Sequence, residues 1–200
     1  IFQNAAQTSA DGFELEILTR PMDNVRLNGS VAYTDAQYDD YLTLDPLNPA
    51  NVATPGSPPF HPITNPDPTA FGAPGGGEIQ LAGNQVRNTP KWAWNVHGEF
   101  DLPLAAGSNG MITFQGDVYG RSRVFFSEYE REIESSEGYT MVDASVRYTD
   151  ASERFMDQLW IRNAFDVLRP ASTFALATGR LIGVAYLPPQ TYGITAGVRF

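Results

Sequence analysis

Apolar and polar residues alternate along seven windows of the chain, most clearly in its last ten residues. Tyr192, Ile194, Ala196, Val198 and Phe200 fall on one side of an extended strand. Thr191, Gly193, Thr195, Gly197 and Arg199 fall on the other, because side chains alternate with period two. A half-buried strand of a soluble sheet has the same pattern. The length and the aromatic ends also suit a strand crossing a bilayer, which needs about 9–11 residues between aromatic girdles.

The same alternation predicts antiparallel strands over 12–20, 24–34, 91–102, 111–122, 139–149, 157–165 and 191–200. Phe13, Leu15 and Ile17 share one side of the first, and Val25, Leu27, Gly29, Val31 and Tyr33 one side of the second. Trp92, Trp94, Val96, Gly98 and Phe100 do so in the third. The sixth window is ambiguous, since Leu159 and Ile161 compete with Trp160 for the apolar side. Residues Ile1 to Ala6 are expected to be the tail of one more strand. Helical spacing fits none of these windows. The connections alternate short and long: short at Arg20–Asn24, Leu104–Gly110 and Thr149–Asp157, long at Asp35–Lys91, Ser122–Gly138 and Asp166–Gln190. An up-and-down membrane barrel, with short turns at one end and long loops at the other, produces this pattern. The longest connection contains Pro46, Pro49, Pro55, Pro58, Pro59, Pro62, Pro66, Pro68, Pro74 and the run Gly75-Gly76-Gly77, all opposed to regular structure.

Composition narrows the classes. No run of about 18 apolar residues exists for a membrane helix, but a membrane barrel hides its apolar residues at every second position. A net charge of −10 argues against a nucleic-acid partner. With no cysteine, disulfides and thiolate sites are excluded. The first residue is Ile, so the segment is expected to begin inside a longer protein.

Four motifs go beyond periodicity. They are Gly12-Phe13-Glu14-Leu15-Glu16 with Arg20-Pro21 and Leu27 to Ala36; Gly83-Asn84-Gln85-Val86-Arg87-Asn88-Thr89-Pro90-Lys91-Trp92; Arg162-Asn163-Ala164-Phe165-Asp166; and Leu187-Pro188-Pro189-Gln190-Thr191-Tyr192-Gly193 with the terminal Phe200. In this order and spacing the chain resembles the TonB-dependent outer-membrane receptors. The third motif departs from the family's Asn-Leu-Phe-Asp only in having Ala164 for Leu. The resemblance implies an all-β, antiparallel up-and-down transmembrane barrel. It implies that residues 1–200 are about seven C-terminal strands of 22, with the plug domain and earlier strands belonging to a missing N-terminal part. It further implies a location in the cell outer membrane, contact with outer-membrane lipid and the TonB complex, and assembly by the barrel-assembly machinery, for which Tyr192 and Phe200 resemble the terminal signal. The family's default ligand is a ferric siderophore; a cobalamin, a haem or a glycan is the alternative.

Other chemistry is sparse. His61 and His97 are the only histidines, and they lack metal-site spacing. Asp35, Asp39, Asp40 and Asp45 lack the Gly and Glu of a calcium loop, so a solvated acidic rim is expected. Glu128, Glu130, Glu132, Glu134 and Glu137, with Arg131 among them, are expected to form a water-bathed loop. Gly75-Gly76-Gly77 lacks the Lys-Ser/Thr of a phosphate loop, and no nucleophile elbow is present. No pattern supports an enzyme, and no cofactor is expected. His97 and Arg121, on the polar side of their strands, are the candidate substrate-binding residues. A passive porin-like barrel or a soluble β-sandwich binding module would share the alternation, but not the four motifs. If Phe200 belongs to the assembly signal, deleting it from the full-length protein is expected to reduce surface display in intact cells, and normal display would remove that role.

Overall fold

A computed structural model describes residues 7–43, 45, 79–104, 110–176 and 181–200. In chain order the strands are β1 (Gln7–Met22), β2 (Val25–Asp40), β3 (Leu42–Thr43), β4 (Ile79–Gln80), β5 (Trp92–Pro103), β6 (Met111–Arg121), β7 (Val124–Phe125), β8 (Ser135–Ser136), β9 (Tyr139–Thr149), β10 (Phe155–Arg162), β11 (Pro170–Leu176), β12 (Leu181–Tyr186) and β13 (Thr191–Val198). Seven of them form one antiparallel sheet in the order β1-β2-β5-β6-β9-β10-β13. Each long strand pairs with its sequence neighbour, and β1 does not pair with β13, so the sheet is open, as expected of part of a barrel. The remaining strands form three two-stranded ribbons, β3/β4, β7/β8 and β11/β12. Among the described residues the one helical piece is a 3-10 turn at Glu132–Glu134.

Two expectations about length need correction. β1 and β2 run well past the predicted windows, with Gln7 to Asp11 pairing against Asp40 to Asp35. The connection after β2 therefore does not start at Asp35. Polar residues obscured this extension, yet Ala36 and Tyr38 are buried there beneath the returning chain. The sixth strand starts at Phe155 and ends at Arg162. Asn163 and Asp166, both at positive φ, turn the chain out of the sheet before Phe165 can extend it. The predicted extra strand at Ile1 to Ala6, the prolines and glycines from Pro46 to Gly77, and His61 lie outside the described residues.

Register explains the two faces. Phe13 stands opposite Tyr33, which stands opposite Trp92. Val31, Trp94 and Gly120 share the next row, and Gly29, Val96, Val118 and Val142 the one after. The row of Phe100, Phe114, Val146, Leu159 and Ile194 carries the same face across to β13. This settles the ambiguous sixth window: Leu159 joins the apolar face and Trp160 the polar one, where it lies opposite Ser145 and Gly193. Among the described residues, the apolar face has no second layer. Phe13 is 56% exposed and Ile194 is 75% exposed. Buried apolar residues instead gather at the long-loop end: Ala36, Tyr38, Leu81, Val124, Phe126 and Met141.

Local chemistry ends the strands. At the short turn after β9, Asp150 accepts hydrogen bonds from the Ser152 amide (3.2 Å), the Ser152 hydroxyl (2.5 Å) and the Phe155 amide (2.7 Å). The Ser152 hydroxyl, helped by the Phe155 amide, holds the Asp150 carboxyl below its ordinary pKa. On the apolar face the Trp94 ring covers Gly120 directly opposite. A Cβ at Gly120 would strike the Tyr139 carbonyl oxygen and approach the Trp94 ring to 2.8 Å. Gly120→Val is therefore expected to lower stability by about 1–3 kcal/mol, the usual cost of overpacking. Gly116→Ala is the control on the same strand, since nothing lies within 4 Å of its added carbon. Denaturant midpoints of the full-length protein in detergent would compare the two.

Candidate functional site

The polar face is a set of side-chain rows crossing the strands. In one row Arg26, Glu99, Gln115 and Ser145 stand side by side. Arg26 pairs with Glu99 and with Asp101. The Gln115 amide donates to Glu99 (2.9 Å), and the Ser145 hydroxyl donates to the Gln115 carbonyl (3.0 Å). The Thr113 hydroxyl donates to buried Asp101 (2.8 Å) in the row nearer the short turns. These charges satisfy one another across four strands.

The next rows toward the long loops hold the predicted site residues. His97 Nδ1 donates to Asp117 Oδ1 (2.7 Å), since a carboxylate can only accept. Asn28 flanks this pair on one side and Asp143 on the other. One row further, Asn95 donates to the Ser30 hydroxyl (2.6 Å) opposite Tyr119. Arg121 lies in the row beyond, opposite Ala93 and Tyr139, with its guanidinium 5.4 Å from the centre of the Tyr139 ring. His97 and Arg121 thus share the polar face but not a contact. Arg121 and Asp117, the partner of His97, are four residues apart on one strand, about 13 Å at ~3.3 Å per residue.

At the long-loop end the returning chain runs alongside β2. Gly83 and Asn84 bond to the Tyr38 backbone, and the Val86 amide donates to the Ala36 carbonyl (3.0 Å). The Tyr38 and Tyr41 rings pack at a tilt of 43°, centroids 5.0 Å apart. The four aspartates expected to form a solvated rim are dispersed: Asp35 pairs with Lys91, Asp39 accepts from Ser9, Asp40 accepts from Gln80, and Asp45 pairs with Arg131. Asp45 is buried, contrary to the expectation of water around it. Arg131 and Glu134 are buried as well, so the second acidic loop is also not simply water-bathed. Asp45 lies 86 residues from Arg131 along the chain, and no local pattern could reveal the pairing. Among the described residues, no group of three His, Asp or Glu is placed to hold a metal ion.

On the opposite face, at the long-loop end, Phe13, Tyr33 and Trp92 pack together, the Tyr33 and Trp92 centroids 4.8 Å apart. Lys91, just before Trp92, pairs with Asp35, two residues after Tyr33 (2.9 Å). At the other edge of the sheet, Tyr192 is largely exposed and Phe200 fully so. Tyr192 stands opposite Ile161.

The sequence model described as TonB dependent receptor-like, beta-barrel, matches residues 1–164. This chain belongs to the TonB-dependent receptor family. No curated protein matches it in sequence. Its fold is similar to that of the ferric yersiniabactin uptake receptor FyuA from Yersinia pestis, at 16% identity and a TM-score of 0.69, covering 98% of this chain and 24% of that one. It is also similar to the siderophore receptor PiuA from Acinetobacter baumannii, at 15% identity and a TM-score of 0.64, covering 94% of this chain and 21% of that one. A third likeness is BauA, the ferric preacinetobactin receptor from Acinetobacter baumannii, at 17% identity and a TM-score of 0.59, covering 94% of this chain and 22% of that one. The chain spans under a quarter of the length of each of these receptors.

The receptor motif at Asn163 has a structural explanation. Its amide donates to Asp143 (2.8 Å), and its side-chain nitrogen donates to the carbonyls of Val167 and Pro188 (both 3.1 Å). The side-chain oxygen accepts from the Val167 amide (2.8 Å). Asp166 accepts from the Gln190 amide (3.0 Å), and the Gln190 side chain returns to the Ala164 carbonyl (2.7 Å). The third motif therefore fastens the end of β10 to the start of β13, which explains why both are recognisable in the sequence. Asn163→Ala removes three side-chain bonds at a residue with φ of 49°. It is expected to lower stability by about 2–4 kcal/mol, from unsatisfied buried groups and left-handed strain. Asn163→Gly keeps the backbone conformation accessible and should recover part of the loss in denaturant unfolding.

Proposed function

We propose that this chain is the C-terminal part of the β-barrel of an outer-membrane receptor that imports a scarce nutrient with energy relayed by TonB. The family match over residues 1–164 carries this reading. The sheet agrees with it: one face is apolar and, among the described residues, without a covering layer, and the other is polar and internally paired. Such a division suits a wall with lipid outside and an aqueous or plugged lumen inside. In this reading the Phe13–Tyr33–Trp92 cluster sits at the outer membrane interface, where aromatic rings are favoured. The turns at Pro21, Leu104 and Ser152 lie on the periplasmic side, and the loops bearing Glu130 and Ala175 lie outside the cell. The plug domain and the earlier strands belong to the N-terminal part, which engages the TonB complex. Tyr192 and Phe200 belong to the strand read by the barrel-assembly machinery.

A ferric siderophore is the proposed ligand. FyuA, PiuA and BauA, similar in fold, are described as a ferric yersiniabactin uptake receptor, a siderophore receptor and a ferric preacinetobactin receptor. His97 and Arg121 face the proposed lumen and are the proposed ligand-contacting side chains. Arg121 offers a cation beside the Tyr139 ring, a combination suited to an anionic, partly aromatic ligand.

Growth of a strain lacking the parent gene, on a panel of iron and carbon sources with and without TonB, tests the reading. Loss of growth on one iron source in both the gene deletion and the TonB deletion is the expected outcome. Uptake that persists without TonB would leave a passive pore instead.

A further inference from the structure

Two long-loop segments meet at one buried cation, and a third is tied to them by neighbouring bonds. Arg131 is 8% exposed, and its Nη2 donates to Asp45 while its Nη1 donates to Glu134 Oε2 (2.5 Å). Both carboxylates are buried. The guanidinium lies over the Tyr129 ring, 4.3 Å from its centre. Burial pushes the Tyr129 phenol well above its ordinary pKa, so the ring stays neutral beneath the charge. Glu134 also accepts from the Ser127 hydroxyl (3.0 Å), and its backbone carbonyl accepts from the Phe126 amide (2.7 Å).

Asp45 follows β3, whose partner β4 leads directly into residues 81–88. Those residues reach back to the Arg131 loop through three further bonds. The Asn84 side chain donates to the Glu128 carbonyl (2.8 Å), the Gln85 amide to the Glu130 carboxylate (2.6 Å), and the Asn88 amide to the Phe125 carbonyl (2.8 Å). Glu130 holds this position at a φ of 50°, a conformation that persists in a non-glycine residue when its surroundings enforce it. β11 packs beside β8 and the 3-10 turn, bringing in the third long connection.

We propose that Arg131 is a keystone that makes residues 42–43, 45, 79–88 and 124–136 move as one body at the receptor's mouth. A buried ion pair contributes little net stability, because desolvation offsets the attraction. Removing one partner is far more disruptive, since it strands the other charges in a dry site. The triad therefore works as a shared fastening that loosens all its segments together when a partner is lost. While it is intact, the loop layer is a fixed wall, and movement at the mouth happens beside this wall rather than within it. The inference does not depend on the ligand or on energy coupling.

Hydrogen exchange of the complete receptor in detergent tests this directly. Arg131→Met should raise exchange at least tenfold in peptides covering 84–89 and 124–136 together, and leave the β6–β9 ladder around Val118 and Val142 unchanged. Asp45→Ala keeps Arg131 paired with Glu134, and should loosen the same two peptides together by a smaller factor. It also serves if Arg131→Met fails to assemble. Loosening confined to 124–136 in both variants, or no change in either peptide, would overturn the proposal.

Discussion

Everything in this structure depends on cross-strand register. A single sheet with one apolar face tolerates no slip, because moving a strand by one residue carries every side chain to the other face. Here the register holds across seven strands, so that Phe13, Tyr33 and Trp92 share a row at one edge while Val146, Leu159 and Ile194 share one at the other. Close approaches reinforce it. Trp94 fits against Gly120 on the apolar face, and Trp160 against Gly193 on the polar face. In each pair the aromatic residue stands directly opposite the glycine, so a slipped register would leave the ring without its seat.

The two faces solve different problems. The apolar face carries large side chains that no part of the described chain covers, and a hydrocarbon environment accepts them without a partner layer. The polar face carries charges that a dry environment would penalise heavily if they were unpaired. It meets that demand within itself: Arg26 pairs with both Glu99 and Asp101, while Gln115 and Thr113 donate to the same carboxylates and Ser145 to Gln115. The polar residues nearest the short turns are thus committed to the wall. Toward the long loops the pairing thins, and Arg121 has an aromatic neighbour rather than a carboxylate. A polar surface able to meet a ligand belongs where its side chains have bonding capacity to spare.

The long connections are less like loops than their composition implies. Three of them contribute two-stranded ribbons, and their buried residues, with Ala36 and Tyr38 of β2 and Met141 of β9, form the packed core among the described residues. Asn163 fastens one such connection at its base, and Arg131 joins others at their centre. Both act through hydrogen bonds to groups distant in sequence.

The strand windows were legible in the sequence because period-two alternation is a local property, and each window carries it independently of its neighbours. The family was legible because its motifs sit at turns and strand starts, where particular residues are needed: Asn163 accepts a left-handed φ, and Gln190 reaches Ala164 across the β10–β13 junction. The face of Trp160 was not legible, since its own window is apolar on both sides and only pairing with Ser145 and Gly193 decides it. Nor was the fate of the charges. Asp45 and Glu134 belong to acidic runs that suggest water, and tertiary contact with Arg131 buries both. Likewise, the polar-face positions of His97 and Arg121 followed from alternation, but their partners, Asp117 and Tyr139, came from register between strands. Local periodicity determines which side of a strand a residue takes; only the assembled sheet decides what stands beside it.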